Sequence, residues 1–424
     1  MRIRPARSFR GTFRLPGDKS ITHRAFLFGA IARGRTTIEG ASFGEDCAST
    51  RRCLESLGVR FDLSEDRRRF SVQGGESLKA PAGPLDCGNS GTTLRLLMGL
   101  LAGSNFGATL SGDESLNRRP MERVARPLRE MGARIETRDG RPPVTVTGST
   151  LHAAALTPEA ASAQIKSAIL LAALGAPGRT TIHEPEPTRD HTERMIRSFG
   201  GVLRTEGRTI EIDGLQTLTA RHVAIPGDPS SAAPFVVAGL IRPDSEVVIE
   251  GVLLNPHRVR YLDVLREMGG RIDVEITSTA DSEPSGRIVV RSSGLTGIEI
   301  DPADVPAIVD ELPILAIAGA FAKGHTVVRG ASELRVKESD RIKAMVAGLQ
   351  AMGGHIAETE DGFSIQGGAP LSGASVSSQG DHRIAMALSV AALGARGDTD
   401  LAGAQAVAIS LPTFFDELDR GAAR

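Results

Sequence analysis

A short phrase, close to Gly-x-Thr-x-Ile-x-Gly, recurs six times along this chain, and no other feature limits its possible folds as much. The copies are GRTTIEG at 34–40, GATLSGD at 107–113, GRTTIHE at 178–184, SEVVIEG at 245–251, GHTVVRG at 324–330 and GDTDLAG at 397–403. Successive copies begin 73, 71, 67, 79 and 73 residues apart. Self-similarity at an even period marks a chain built from supersecondary units, each too small to bury its apolar face alone. Every copy follows an apolar segment rich in small residues, such as AFLFGAIA, SAILLAALGA or LPILAIAGAF, with a helical pattern. Five copies lead on to a second helical pattern that stops at a glycine, and Gly58, Gly132, Gly200, Gly269 and Gly353 are the expected C-caps. The sequence therefore predicts an α/β chain of six units, three to a domain, with a boundary near Ala224–Pro226. Ahead of Gly17 the chain alternates (Arg2, Ile3, Arg4, then Thr12, Phe13, Arg14) like a strand that either half could accept.

Composition excludes several classes of function. At 424 residues the chain is longer than one ordinary domain, in line with two. Lys plus Arg number 50 and Asp plus Glu 51, so no overall field favours nucleic acid or an anionic membrane as partner. With no Trp and one Tyr there is little to stack on single-stranded bases. Cys47, Cys53 and Cys87 have neither disulfide-framework nor zinc spacing, so no metal site is expected. No apolar run reaches membrane-spanning length and no signal-peptide core opens the chain, so a soluble, cytoplasmic protein is expected.

The chemistry is expected at the helix openings. A polar phrase precedes each apolar helix: GDKSITHR (17–24), CGNSGTTLR (87–95), ASAQIKS (161–167), GDPSSA (227–232), IVDELP (308–313) and QGDHR (379–383). Helix N-termini carry unpaired N–H groups and a positive dipole end, which suits phosphate and carboxylate. Ordinary capping by Asp18, Asn89, Ser90, Ser162, Asp228 and Asp381 is the plainer reading. Capping does not ask for the cations beside them. Ser20 and Arg24 share a helix face, with Lys19 a turn from Arg24. Arg118 and Arg119 precede Pro120, Lys337 and Arg341 are spaced to share a face, and Arg383 follows His382. Planar Arg forks fit carboxylate and phosphate, while Lys supplies a point charge.

Two carboxylate sites stand out among these cations. Asp310 and Glu311 open an apolar helix, where they either cap it or supply an acid or base. Glu338 sits between Lys337 and Arg341, either as a surface ion pair or as the partner acid–base group. His191, in RDHTE, reads as a helix-start residue. No phosphate-loop, zinc-protease or nucleophile-elbow motif is present.

Taken together, GDKSITHR, GNSGTTLRLL, RRPM, SAQIKSA, RVKESDR and GDHRIAM occur in the order found in the EPSP synthase (3-phosphoshikimate 1-carboxyvinyltransferase) family, which the whole chain resembles. The resemblance implies a two-domain inside-out α/β barrel. Six βαβαββ repeats would stand three per domain around pseudo-threefold axes, in domains 18–224 and 1–17 plus 225–424 that close over substrate. It implies enolpyruvyl transfer from phosphoenolpyruvate to the 5-hydroxyl of shikimate 3-phosphate by addition and elimination, without metal or organic cofactor. By motif position, Lys19, Ser20, Arg24, Ser162, Ala163, Gln164, Arg189, Asp310 and Lys337 would hold shikimate 3-phosphate. Lys19, Gly91, Arg119, Gln164, Arg341 and Arg383 would hold phosphoenolpyruvate. Asp310 would take the hydroxyl proton, and Glu338 with Lys19 would manage the proton at the methylene carbon. A monomer is expected.

Some positions depart from the better-known branch of the family. Ala163 replaces a second Ser, and around Ile409 no tail lysine can be assigned. RDHTE and SAQIK resemble the branch that includes glyphosate-insensitive enzymes, while Gly91-Thr92 keeps the small residue that accompanies sensitivity. The sister UDP-N-acetylglucosamine enolpyruvyl transferases carry a loop cysteine near the Arg-Pro phrase, and residues 111–122 contain none. A relative that only binds anions would be expected to lose Asp310, Glu338 or the cations, and all are present.

Overall fold

Threonine, valine and isoleucine alternate in the recurring phrases, and in the computed structural model each phrase forms a strand. These strands are Gly34–Glu39, Ala108–Ser111, Arg179–His183, Glu246–Leu253, Gly324–Val328 and Thr399–Ala402. The structure describes residues 1–65, 69–279 and 283–423. It is a mixed α/β fold that divides into two compact units, Gly17–Ile225 on the one hand and Met1–Pro16 with Pro226–Arg424 on the other.

Within Gly17–Ile225 the described strands form three four-stranded sheets of one design. In the first, Gly34–Glu39 runs antiparallel to Arg69–Gly74, which pairs with Arg60–Leu63. Its other edge pairs parallel with His222–Ala224, so the last strand of the unit returns to its first sheet. Leu85–Asp86 and Ala155–Leu156 supply the parallel strands of the other two sheets. The helices Lys19–Ile31, Gly91–Leu101 and Ala163–Ala173 are apolar on nearly every side and accordingly buried. The last two touch backbone to backbone, since a Cβ on Gly99 would lie 2.2 Å from the Ala168 carbonyl oxygen.

The second unit has one five-stranded and two three-stranded sheets among the described residues. Ser8–Phe13 pairs parallel with Glu246–Leu253, so the N-terminal strand lies in this unit. Its core gathers Phe9, Phe13, Phe235 and Phe414 with the helices Pro229–Ile241, Leu312–Phe321 and His382–Gly394. The five expected C-cap glycines all adopt left-handed backbone, φ between +82° and +94°. Among the described residues no helix is long and apolar enough to cross a membrane.

Candidate active site

In the unit Gly17–Ile225, the opening of the first of the three buried helices carries the expected Lys19 and Arg24, and Arg119 lies in the loop ahead of the Glu122–Glu130 helix. Asp18 caps the Lys19–Ile31 helix through the Ile21 N–H, and Ser90 caps the Gly91–Leu101 helix through Thr93. Ser162 occupies the N-cap of the third helix without a side-chain cap bond. Asn89 does not cap; its amide donates to Asp113 and its carbonyl accepts from Arg119.

Lys19 pairs with the buried Asp46 at 2.9 Å. Arg24 is buried and spreads its guanidinium over Thr192 Oγ1 (2.7 Å), the Ser20 carbonyl (2.9 Å) and Ser167 Oγ (2.6 Å). The last of these ties it to the helix that Ser162 and Ala163 open. His23 lies between these cations, fully buried with Nδ1 2.6 Å from Thr50 Oγ1. Burial first, then Lys19 and Arg24, push its imidazole well below the usual range and keep it neutral.

Gly91, Arg119 and Gln164 are brought together by a residue the motif reading passed over. Arg95, one turn into the Gly91–Leu101 helix, donates from Nη1 to Gln164 Oε1 at 2.6 Å. A Cβ on Gly91 would meet Arg95 Nη1 at 2.9 Å and Arg119 Nη1 at 3.3 Å, so a side chain there would push both guanidinium groups aside. Arg119 is buried, whereas its neighbour Arg118 is exposed and pairs with Glu114. Arg189 is half-buried in the loop ahead of the His191–Ser198 helix, and His191 does begin that helix.

In the other unit one guanidinium organises a cluster of its own. Arg341, with a side chain only 2% exposed, donates to Asp381 Oδ2 at 2.8 Å, Glu338 Oε2 at 2.6 Å and Asp310 Oδ1 at 3.4 Å. Burial works against its charge, but Asp381, Glu338 and Asp310 outweigh that and hold it above the ordinary arginine value. The half-buried Lys337 ammonium is lowered by desolvation, which Asp310 opposes. Arg383 is buried and donates from Nη1 to the Ser230 carbonyl at 3.1 Å.

This geometry corrects one expectation. Lys337 and Arg341 do not share a helix face, because the helix begins at Arg341 with Asp340 as its cap, and Lys337 is extended. The loop that results lets Glu338 turn back onto Arg341. Glu338 is therefore no surface ion pair, since its side chain is 13% exposed against a buried arginine. Glu311 occupies the N-cap of its helix without a side-chain cap bond, and its carboxylate instead accepts from Ser230 Oγ.

The family model described as EPSP synthase (3-phosphoshikimate 1-carboxyvinyltransferase) matches residues 3–418. The chain belongs to the EPSP synthase family. A 3-phosphoshikimate 1-carboxyvinyltransferase of Geobacillus kaustophilus is 48% identical over 417 residues, 97% of each chain. One from Listeria monocytogenes serotype 4a is 46% identical over 412 residues, 96% of each. The EPSP synthase structure from Acinetobacter baumannii superposes with a TM-score of 0.88 at 44% identity, covering 99% of this chain and 98% of that one. The enolpyruvyl transferase NikO from Streptomyces tendae, at 20% identity and TM-score 0.81, shares the fold.

Within this member of the EPSP synthase family, sequence reading also missed a second buried network. Arg258 donates from Nη2 to Ser230 Oγ (2.9 Å) and Asp228 Oδ1 (3.2 Å), and that hydroxyl donates in turn to Glu311. Ser230 thus links the turn carrying Asp310 to the guanidinium of Arg383. The GDPSSA phrase signalled the cap but not the arginine, which comes from another helix. The three cysteines are buried. Burial and Asp46 raise the Cys47 thiol, while Cys53 and burial raise Cys87, so neither is held as thiolate. Among the described residues no three His, Cys, Asp or Glu side chains group so as to hold a metal ion.

Proposed function

We propose that this protein transfers the enolpyruvyl group of phosphoenolpyruvate to the 5-hydroxyl of shikimate 3-phosphate, giving 5-enolpyruvylshikimate 3-phosphate and phosphate. The observation that carries the reading is the buried Arg341 fork joining Asp310 and Glu338, which sets two carboxylates side by side as a pair for proton transfer. Shikimate 3-phosphate is held by Lys19, Ser20, Arg24, Ser162, Gln164, Arg189 and Lys337, with Ala163 offering its helix-start N–H. Phosphoenolpyruvate is held by Lys19, Gly91, Arg119, Gln164, Arg341 and Arg383. Helix N-termini and arginine forks match the phosphate and carboxylate groups of both.

In this mechanism Asp310 accepts the hydroxyl proton as that oxygen attacks C2 of phosphoenolpyruvate. Glu338, with Lys19, delivers a proton to the methylene carbon, forming the methyl group of a tetrahedral intermediate. Withdrawal of one methyl proton then expels phosphate and restores the double bond. Lys337 neutralises the charge that develops. In the same reading residues 18–224 and 1–17 plus 225–424 are the two functional domains of a cytoplasmic monomer. Each comprises three βαβαββ units about a pseudo-threefold axis, an inside-out α/β barrel. Phosphate release from phosphoenolpyruvate, with shikimate 3-phosphate or UDP-N-acetylglucosamine as acceptor, tests it. Release with shikimate 3-phosphate alone is expected; release only with the nucleotide sugar, or with neither, overturns the assignment.

A further inference from the structure

We infer that Arg95 is a positioning residue, fixing which end of the Gln164 amide faces the bound anion. A guanidinium carries five N–H donors and no acceptor. The Gln164 atom 2.6 Å from Arg95 Nη1 must therefore be the carbonyl oxygen. The amide nitrogen is then turned to Thr92 Oγ1, 2.9 Å away, which takes one of its two hydrogens. The second hydrogen is left as a donor for an anion. A flipped amide would set donor against donor beside a side chain only 7% exposed, and would present lone pairs to the anion.

Arg95 is placed to do this for more than one element. It rises from the helix that Gly91 opens and reaches the first turn of the Ala163–Ala173 helix through Gln164. Its Nη2 lies 3.4 Å from the Pro120 carbonyl, beside Arg119.

The inference rests on the proposed reaction in taking phosphoenolpyruvate as the anion. The test is a double-mutant cycle of Arg95→Met and Gln164→Ala, with Arg95→Lys as the conservative variant. Equilibrium binding of phosphoenolpyruvate and its KM and kcat in turnover are both measured. Arg95→Met should weaken phosphoenolpyruvate about tenfold with kcat within about threefold, the factor of one charge-assisted hydrogen bond. In the Gln164→Ala background the same change should cost less than about twofold, because the amide it orients is gone. Arg95→Lys, still a donor without an acceptor, should recover most of the affinity. Equal losses in both backgrounds, or a Lys variant as weak as the Met variant, overturn the inference. Coupled binding without turnover supports the inference and refutes the proposed reaction, and failure of the unaltered protein to bind phosphoenolpyruvate refutes both.

Discussion

Arg341 is where stability and chemistry share one side chain, and replacing it separates charge from geometry. Arg341→Met removes the cation from Asp381, which is fully buried, and from Glu338, which is nearly so. Each charged hydrogen bond contributes about 1.5–3 kcal/mol. The 3.4 Å contact to the more exposed Asp310 counts for less. The two short bonds together give roughly 3–6 kcal/mol, matching the 3–5 kcal/mol typical when one partner of a buried pair is removed. For a unit of roughly two hundred residues that is a fall in Tm of about 6–20 °C. Arg341→Lys keeps the charge but cannot place three donors in one plane, and should cost about 1–2 kcal/mol. Urea unfolding of the full chain, followed by circular dichroism, measures both. An Arg341→Met protein within about 1 kcal/mol of the parent would refute the reasoning, since Asp381 and Glu338 would then not depend on this cation.

The remaining predictions concern the chemistry and its pH dependence. Asp310→Asn should lower kcat by orders of magnitude with substrate KM values within about tenfold, and near-normal turnover would remove its role as base. Arg119→Ala should raise the KM for phosphoenolpyruvate and spare that for shikimate 3-phosphate; equal effects on the two would count against the assignment. Lys337 has a folded-state pKa below its unfolded value, so between the two the unfolded chain binds more protons and stability rises with pH. The parent should therefore gain stability relative to Lys337→Met as pH rises through the depressed value toward that of an ordinary lysine. A gap that stays constant from pH 7 to 10 would contradict the desolvation of Lys337.

Much of this was legible because it is local. Strand phrases, helix-stop glycines and caps such as Asp18, Ser90, Asp228 and Asp381 depend on residues within a few positions of one another. What escaped depends on distant partners. Arg95 lies among leucines and reads as an anomaly in a core helix until Gln164, 69 residues away, is seen against it. Arg258 needs Ser230 from another helix, and Asp46 shows its use only when packing sets it against Lys19. Lys337 misled for the opposite reason: helical spacing fitted the pattern, but the capping preference of Asp340 won and left Lys337 outside.

The parallel pairing of Ser8–Phe13 with Glu246–Leu253 has a consequence for how the protein is made. On the ribosome the first of these strands emerges long before its partner exists. At about 5–20 residues per second, the stretch from Phe13 to Leu253 takes roughly 12–48 seconds to synthesise. The intervening unit Gly17–Ile225 is complete by then, while Phe9 and Phe13 wait without the core that later buries them. Biogenesis thus has a built-in delay between the synthesis of Ser8–Phe13 and that of the strand it pairs with.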